Sequence, residues 1–173
     1  MYRHVQPFMT DDKSSYYHQQ YETYHALLLN LLDSPIKFTQ HIGGTAHFNY
    51  PTEPILDILV GVRNLHDITA LDEKRLNYAG FYRLHHSYEK KVVMAKFNNL
   101  SDLKQDVRLH IIQMQTPTFD KYQRYHDLLT HQSDAIHFFK AQKKALAQQP
   151  LTIRTYETIK AQWFDALQQY TTS

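Results

Sequence analysis

The sequence predicts an α+β fold: a mixed β-sheet with helices packed on it and a helical C-terminal part. Three observations carry that expectation. The stretch 55–62 is almost entirely apolar, as a strand buried on both faces requires. The stretches 36–42 and 107–114 alternate with a period of two, which is the strand period. Beyond Pro117 the apolar residues recur every three or four positions, which is the helix period. The chain has 173 residues, a length that suits one domain. We therefore expect a single unit over residues 1–173, with C-terminal helices at about 117–171.

The elements follow in order. Asp11 and Asp12 can cap a helix over 12–33, whose core stripe is Tyr17, Tyr21, Tyr24, Leu28 and Leu31. Ser34-Pro35 ends it. The next strand, 36–42, places Ile36, Phe38, Gln40 and Ile42 on one face. A loop over 43–53 leads into the apolar strand, and a helix is expected at 65–76. Strands at 81–85 and 92–97 read as a hairpin, and a fifth strand covers 107–114. Three helical stripes close the chain, the last two separated by Pro150. We expect the helices to lie on one side of the sheet.

Composition excludes several chemistries. There is no cysteine, so disulfides, Cys-ligated zinc, iron–sulfur clusters and thiol nucleophiles are out. The glycines are Gly43, Gly44, Gly61 and Gly80. Their positions form neither G-x-G-x-x-G nor a Walker A loop, and no G-x-S-x-G elbow occurs. A net charge of +2 is too mild for the clustered basic face that nucleic acid demands. Lys143-Lys144 reads as solvated surface, and most of the 12 histidines fall on segments that read as exposed helix. No apolar run is long enough to span a bilayer. We expect a cytoplasmic protein that binds a small molecule or nucleotide and neither membrane nor nucleic acid.

One polar residue interrupts the apolar strand. Side chains alternate along a strand, so Asp57 shares a face with Ile55, Leu59 and Gly61. A carboxylate there is costly unless a cation or strong hydrogen bonds meet it. It either accepts internal hydrogen bonds or holds a metal or substrate. Upstream, Gly43-Gly44-Thr45 leaves a strand. Two glycines permit close backbone approach to a phosphate, and Thr45 adds a hydroxyl. Gly61, on the Asp57 face, has no side chain to fill the space beside it.

His41-Ile42-Gly43-Gly44-Thr45 followed by Pro54-Ile55-Leu56-Asp57-Ile58 resembles the GrpB family motif H-I-G-S-T…K-P-I-I-D-I. Leu109-His110-Ile111-Ile112, Tyr125-His126-Asp127-Leu128-Leu129, and Tyr156 with Lys160 and Phe164 extend the resemblance. It implies a nucleotidyltransferase-like fold, in which the Gly-Gly loop holds phosphates and strand carboxylates hold a divalent metal (Mg, Mn or Zn). Departures accompany it. The second carboxylate of D-x-D is Leu59, the lysine before the proline is Glu53, and the first histidine of the later strand motif is Arg108.

His110 falls on the same strand face as Arg108 and Asp106. If that strand neighbours Asp57, then Asp57, His110 and His41 can form a metal site, which imidazole biases toward zinc, iron, manganese or nickel. The other possibility is a plain His110–Asp57 hydrogen bond. Two functions follow. In one, metal-assisted nucleotidyl or phosphoryl transfer uses Asp57 and His110 as catalytic groups. Gly43, Gly44, Thr45, Arg108 and Lys160 then bind phosphate or substrate. In the other, the same fold binds a nucleotide or anion without turnover, which Leu59 favours. A third class, a structural protein presenting its tyrosine-rich helices, gives no reason for a buried Asp57.

Overall fold

The computed structural model describes residues 8–9, 11–31, 34–65, 70–84, 90–98, 104–146 and 153–170. Five strands form one sheet: β1 (Ile36–Ile42), β2 (Leu56–Val62), β3 (Tyr82–Arg83), β4 (Val92–Phe97) and β5 (Gln105–Gln113). The helices are α1 (Ser14–Leu29), α2 (Ala70–Tyr78), α3 (Pro117–His131), α4 (Ser133–Leu146) and α5 (Ile153–Ala166). The first helix ends at Leu29 with Asn30 as its C-cap, short of the expected stop at Ser34-Pro35. Leu32 and Asp33, the expected second-helix residues 66–69, the end of the hairpin strand at His85, and Pro150 lie outside the described residues.

Local sequence sets the helix ends. The N-cap of α1 is Lys13, which makes no side-chain capping bond, rather than the expected Asp12; Asp12, one residue earlier, accepts from the Ser14 amide at 2.9 Å. Thr116 caps α3 by accepting from the Phe119 amide at 3.2 Å, and Pro117 occupies the first turn, where no amide donor is needed.

The strand order is β1-β2-β5-β4-β3. The β2–β5 pair is parallel, and its neighbours are antiparallel. This is the mixed sheet expected. The parallel pair sets Asp57 opposite Arg108 and Leu59 opposite His110. Central β2 is covered on both faces. Leu56, Ile58, Val60 and Val62 pack with Tyr17 and Leu28 of α1 and Leu76 of α2. On the other face Leu59 packs with Ile42, Ile112 and Phe119 of α3. The expectation that all helices share one side is therefore wrong. A strand apolar on both faces needs cover on both. The C-terminal helices add a core of their own around Tyr125, Phe139, Tyr156 and Trp163, into which Tyr50 of the long loop inserts.

Two irregularities change which residues share a face. The β1–β2 register pairs Ile36 with Val62 but Phe38 with Gly61, leaving Lys37 as an extra residue. Ile36 consequently joins the α1 core while Phe38 joins the opposite one, contrary to simple alternation. In β5 the register passes from Val107 to Gln105, so Asp106 is the extra residue. Gln105 rather than Asp106 meets Arg108, its Oε1 accepting from Nε at 2.9 Å.

The space beside Gly61 is filled. A Cβ there would lie 2.7 Å from Met114 Cγ and 3.0 Å from Phe38 Cβ. Gly44 is tighter still, its notional Cβ 2.4 Å from the Thr52 side chain. Thr52 has little freedom to retreat, because it exchanges backbone hydrogen bonds with Met9 at 2.7 and 3.2 Å. Gly44→Ala should therefore destabilise by about 1–3 kcal/mol through overpacking. Urea unfolding checks it, and an unchanged midpoint would contradict the packing argument.

Candidate functional site

Asp57 is met from the neighbouring strand. His110 Nε2 lies 2.9 Å from Asp57 Oδ1, and Arg108 Nη1 lies 4.0 Å from the same oxygen. Burial alone would raise the Asp57 pKa. The His110 hydrogen bond and the charges of Arg108 and Lys160 overcome burial and hold it below the usual range. Asp57 is thus ionised, so His110 must donate through Nε2, which leaves Nδ1 as a bare acceptor. That Nδ1 is buried and makes no hydrogen bond among the described residues. Burial lowers the His110 pKa to about 4, against the pull of Asp57.

The loop after β1 is built for the scaffold as well as for the cleft. Gly43 adopts φ 76°, a left-handed conformation that favours glycine, and a Cβ there would lie 3.1 Å from Asp57 Oδ2. Gly44–Ala46 forms one short 3₁₀ turn, with the Ala46 amide donating to the Gly43 carbonyl at 3.2 Å. Thr45 is buried behind it, its hydroxyl donating to the Ile55 carbonyl at 3.3 Å and bonded to His41 Nε2 at 2.9 Å. His41 pairs with Ile58 in the sheet and stacks on Tyr21 of α1 at 5.5 Å between ring centroids. It therefore projects from the face opposite Asp57. The structure does not bring His41 or Thr45 into the predicted site, because strand alternation sends His41 to the α1 side and Thr45 follows it.

A cavity of about 530 Å³ opens on the Asp57 face, between the sheet, the 43–53 loop and the C-terminal helices. Gly43, Gly44, Asp57, Arg108, His110 and Lys160 all line it, so the structure gathers six of the predicted site residues in one place. Its charged lining comprises five cations (Lys91, Arg108, Lys121, Lys143 and Lys160) against Glu53, Asp57 and Asp165. Tyr122, Tyr125 and Phe164 supply aromatic wall, the last two stacked at 5.2 Å.

Lys143 corrects the sequence reading most sharply. It is 3 % exposed rather than solvated surface. Its Nζ lies over four rings: Phe8 at 4.7 Å, Tyr156 at 5.2 Å, Tyr50 at 5.4 Å and Phe139 at 5.8 Å. Lys160 Nζ lies over the same Tyr156 ring at 5.4 Å. Burial and Lys160 lower the Lys143 pKa to about 7, against Glu53 and Asp57. Glu53, whose loop position left its place open, is buried on the cavity wall. His47 and His126 also line the cavity, outside the residues expected to form the site. The i, i+4 spacing of Phe139 and Lys143 on one helix was the available signal for the lysine. Nothing in the sequence marks His47.

The GrpB protein family profile matches residues 9–170. The chain belongs to the GrpB family. It is 31% identical over 144 residues to the glutamate-rich protein GrpB of Alkalihalophilus pseudofirmus, covering 82% of this chain and 83% of that one. The crystal structure of conserved protein GrpB from Enterococcus faecalis superposes with a TM-score of 0.65 at 20% identity, covering 84% of this chain and 81% of that one. A looser likeness, TM-score 0.43 at 14% identity, is to the Cid1 poly(U) polymerase over 71% of this chain and 41% of that one.

The metal that the family resemblance implies can be tested against the donors this GrpB-family chain presents. Leu59, where a second carboxylate would stand, is fully buried between Ile112 and Phe119. Asp57 Oδ1 is engaged by His110 and faces Arg108. His41 projects from the other face. Among the described residues no three His, Asp or Glu side chains gather as a metal set. The donor set does not fit a divalent metal. Among the same residues no helix is long and apolar enough to cross a membrane.

The buried histidines give a pH prediction. Burial lowers His41, His47 and His110 from 6.5 to about 4. Between those values the unfolded chain binds more protons than the folded one, so stability rises with pH. Chemical denaturation should show stability falling steadily as pH drops from 6.5 to 4. A flat profile across that window would contradict the buried, neutral histidines.

Proposed function

We propose that the cleft binds a small phosphorylated molecule of the nucleotide class, without metal. One observation carries the reading: a buried ammonium, Lys143, lines a cavity together with Arg108 and Lys160. Among the described residues Lys143 makes no hydrogen bond or ion pair; its Nζ lies over ring faces, and burial, Lys160 and Arg108 oppose its charge more than Glu53 and Asp57 favour it. A cation so placed is costly to bury unless an anion completes it. A phosphate arriving there stabilises the protonated amine, and Arg108 offers the planar guanidinium suited to phosphate oxygens. The cavity volume of about 530 Å³ lies within the range of small-molecule sites. The stacked Tyr125 and Phe164 provide an apolar surface for a base or other flat group.

Binding without turnover is favoured over metal-assisted transfer by Leu59 and by the engagement of Asp57 with His110. In this reading Asp57 orients His110 and Arg108, and the Gly43-Gly44 loop gives the ligand access to them.

Thermal unfolding with AMP in EDTA tests the proposal. At a ligand concentration of about 100 Kd the stabilisation is about 2.7 kcal/mol, or of the order of 5–10 °C in Tm. Lys143→Met and Lys160→Gln, each checked for folding by circular dichroism, should weaken AMP binding by about 10-fold or more. Stabilisation that requires added magnesium, or that survives in both variants, would contradict the reading.

A further inference from the structure

Lys143 stands apart from the other lysines of the cavity wall. Lys91 donates to the Tyr122 hydroxyl, and Lys121 Nζ lies 3.8 Å from Asp165 Oδ1. Lys143 is the buried member of the set, and among the described residues it makes no hydrogen bond or ion pair. Its Nζ faces the rings of Phe8, Tyr50, Phe139 and Tyr156. Ring faces attract an ammonium but take up none of its hydrogen-bond donors. Two further cations stand near it. Lys160 Nζ shares the Tyr156 ring, at 5.4 Å, and Arg108 lines the same cavity. An amine desolvated among apolar groups and set beside other cations gives up its proton readily, and the free amine is a nucleophile. For Lys143, burial, Lys160 and Arg108 outweigh Glu53 and Asp57 and bring the pKa down to about 7. Without a bound anion, neutral amine is therefore present at neutral pH.

We propose that Lys143 forms an imine with an aldehyde or ketone whose acidic group is held by Arg108 and Lys160. The nitrogen lone pair attacks the carbonyl carbon, the C–N bond forms, and the carbonyl oxygen takes a proton from the nitrogen. The resulting carbinolamine loses that oxygen as water, the second proton again coming from the nitrogen, and a C=N bond remains. No oxidant or further reactant enters. The imine goes beyond the phosphate-binding reading, whereas the acidic group rests on it. The two uses of the amine exclude each other. A phosphate drawn to Lys143 keeps it protonated, so a nucleotide without a free carbonyl guards the amine. Tyr125 and Phe164, stacked at 5.2 Å, offer a carbonyl compound a flat apolar wall.

Reductive trapping on the wild-type chain tests this. The protein is incubated with pyridoxal 5′-phosphate, an aromatic aldehyde bearing a phosphate, or with 5′-deoxypyridoxal, which lacks the phosphate. Borohydride then fixes any imine, and peptide mass spectrometry locates it. At pH 7 Lys143 should carry ~10-fold or more label than exposed lysines, which stay protonated there. The phosphate should speed its labelling by ~10-fold, and excess AMP should suppress it by as much. The groups that face Lys143 and set its titration are Lys160, Arg108, Asp57 and Glu53, with Tyr50 and Tyr156 beside it. Its labelling should reach half its maximum near pH 7, and Lys160→Gln should move that midpoint upward. Label confined to exposed lysines, or a Lys143 midpoint in the range of ordinary lysines, overturns the imine. If AMP still stabilises the chain in that case, the phosphate reading stands. Labelling of Lys143 that neither AMP suppresses nor the phosphate speeds leaves the imine in place and overturns the phosphate reading with the acidic group.

Discussion

The carboxylate of Asp57 in the central strand is the constraint around which the cleft is built. A charge in an apolar strand is tolerated only with partners, and here both come from the adjacent parallel strand. Register alone puts Arg108 opposite Asp57 and His110 two residues further along. Covering that face completely, as α1 covers the other, would bury the group without relief. The C-terminal helices instead close over Leu59 and Ile112 through Phe119 and stand back from Asp57, leaving the cavity. Gly43 belongs to the same arrangement, because a side chain there would press on Asp57 Oδ2.

Once the carboxylate is satisfied within the protein, the chemistry of the cleft passes to other groups. Asp57 neutralises part of the charge of Arg108 and fixes the tautomer of His110. Lys143 has no hydrogen-bonded or ion-paired partner among the described residues, and its charge is favoured by the faces of its aromatic cage and by Glu53 and Asp57 through space. Such a cage shields a cation from water while leaving its hydrogen-bond donors unused. The consequence is a site whose attraction for anions resides in the helical part and whose orientation resides in the sheet.

Much of this was legible in the sequence, for identifiable reasons. The mixed sheet, the three C-terminal helices and the Asp57–His110 contact followed from periodicity and from one polar residue in an apolar run. The faces of β1 and β5 were misread at their ends because one-residue bulges at Lys37 and Asp106 break alternation, and a bulge leaves no mark in composition. His41 was assigned to the site by closeness along the chain, whereas strand alternation sends it through the sheet to Tyr21. Lys143 was read as surface because lysine rarely enters a core. Its burial depends on Phe8 and Tyr50, which are distant in sequence and reach it only through tertiary packing. Glu53 was placed in a loop correctly, but which wall of the cleft it faces is again a tertiary fact.

The central claim is that the cleft between Asp57 and the C-terminal helices holds a phosphate on Lys143. A crystal structure of the chain with AMP tests it most directly. The account predicts phosphate density within hydrogen-bond distance of Lys143 Nζ. Phosphate bound outside this cleft, or bound to a metal on Asp57 with Lys143 uninvolved, would contradict it.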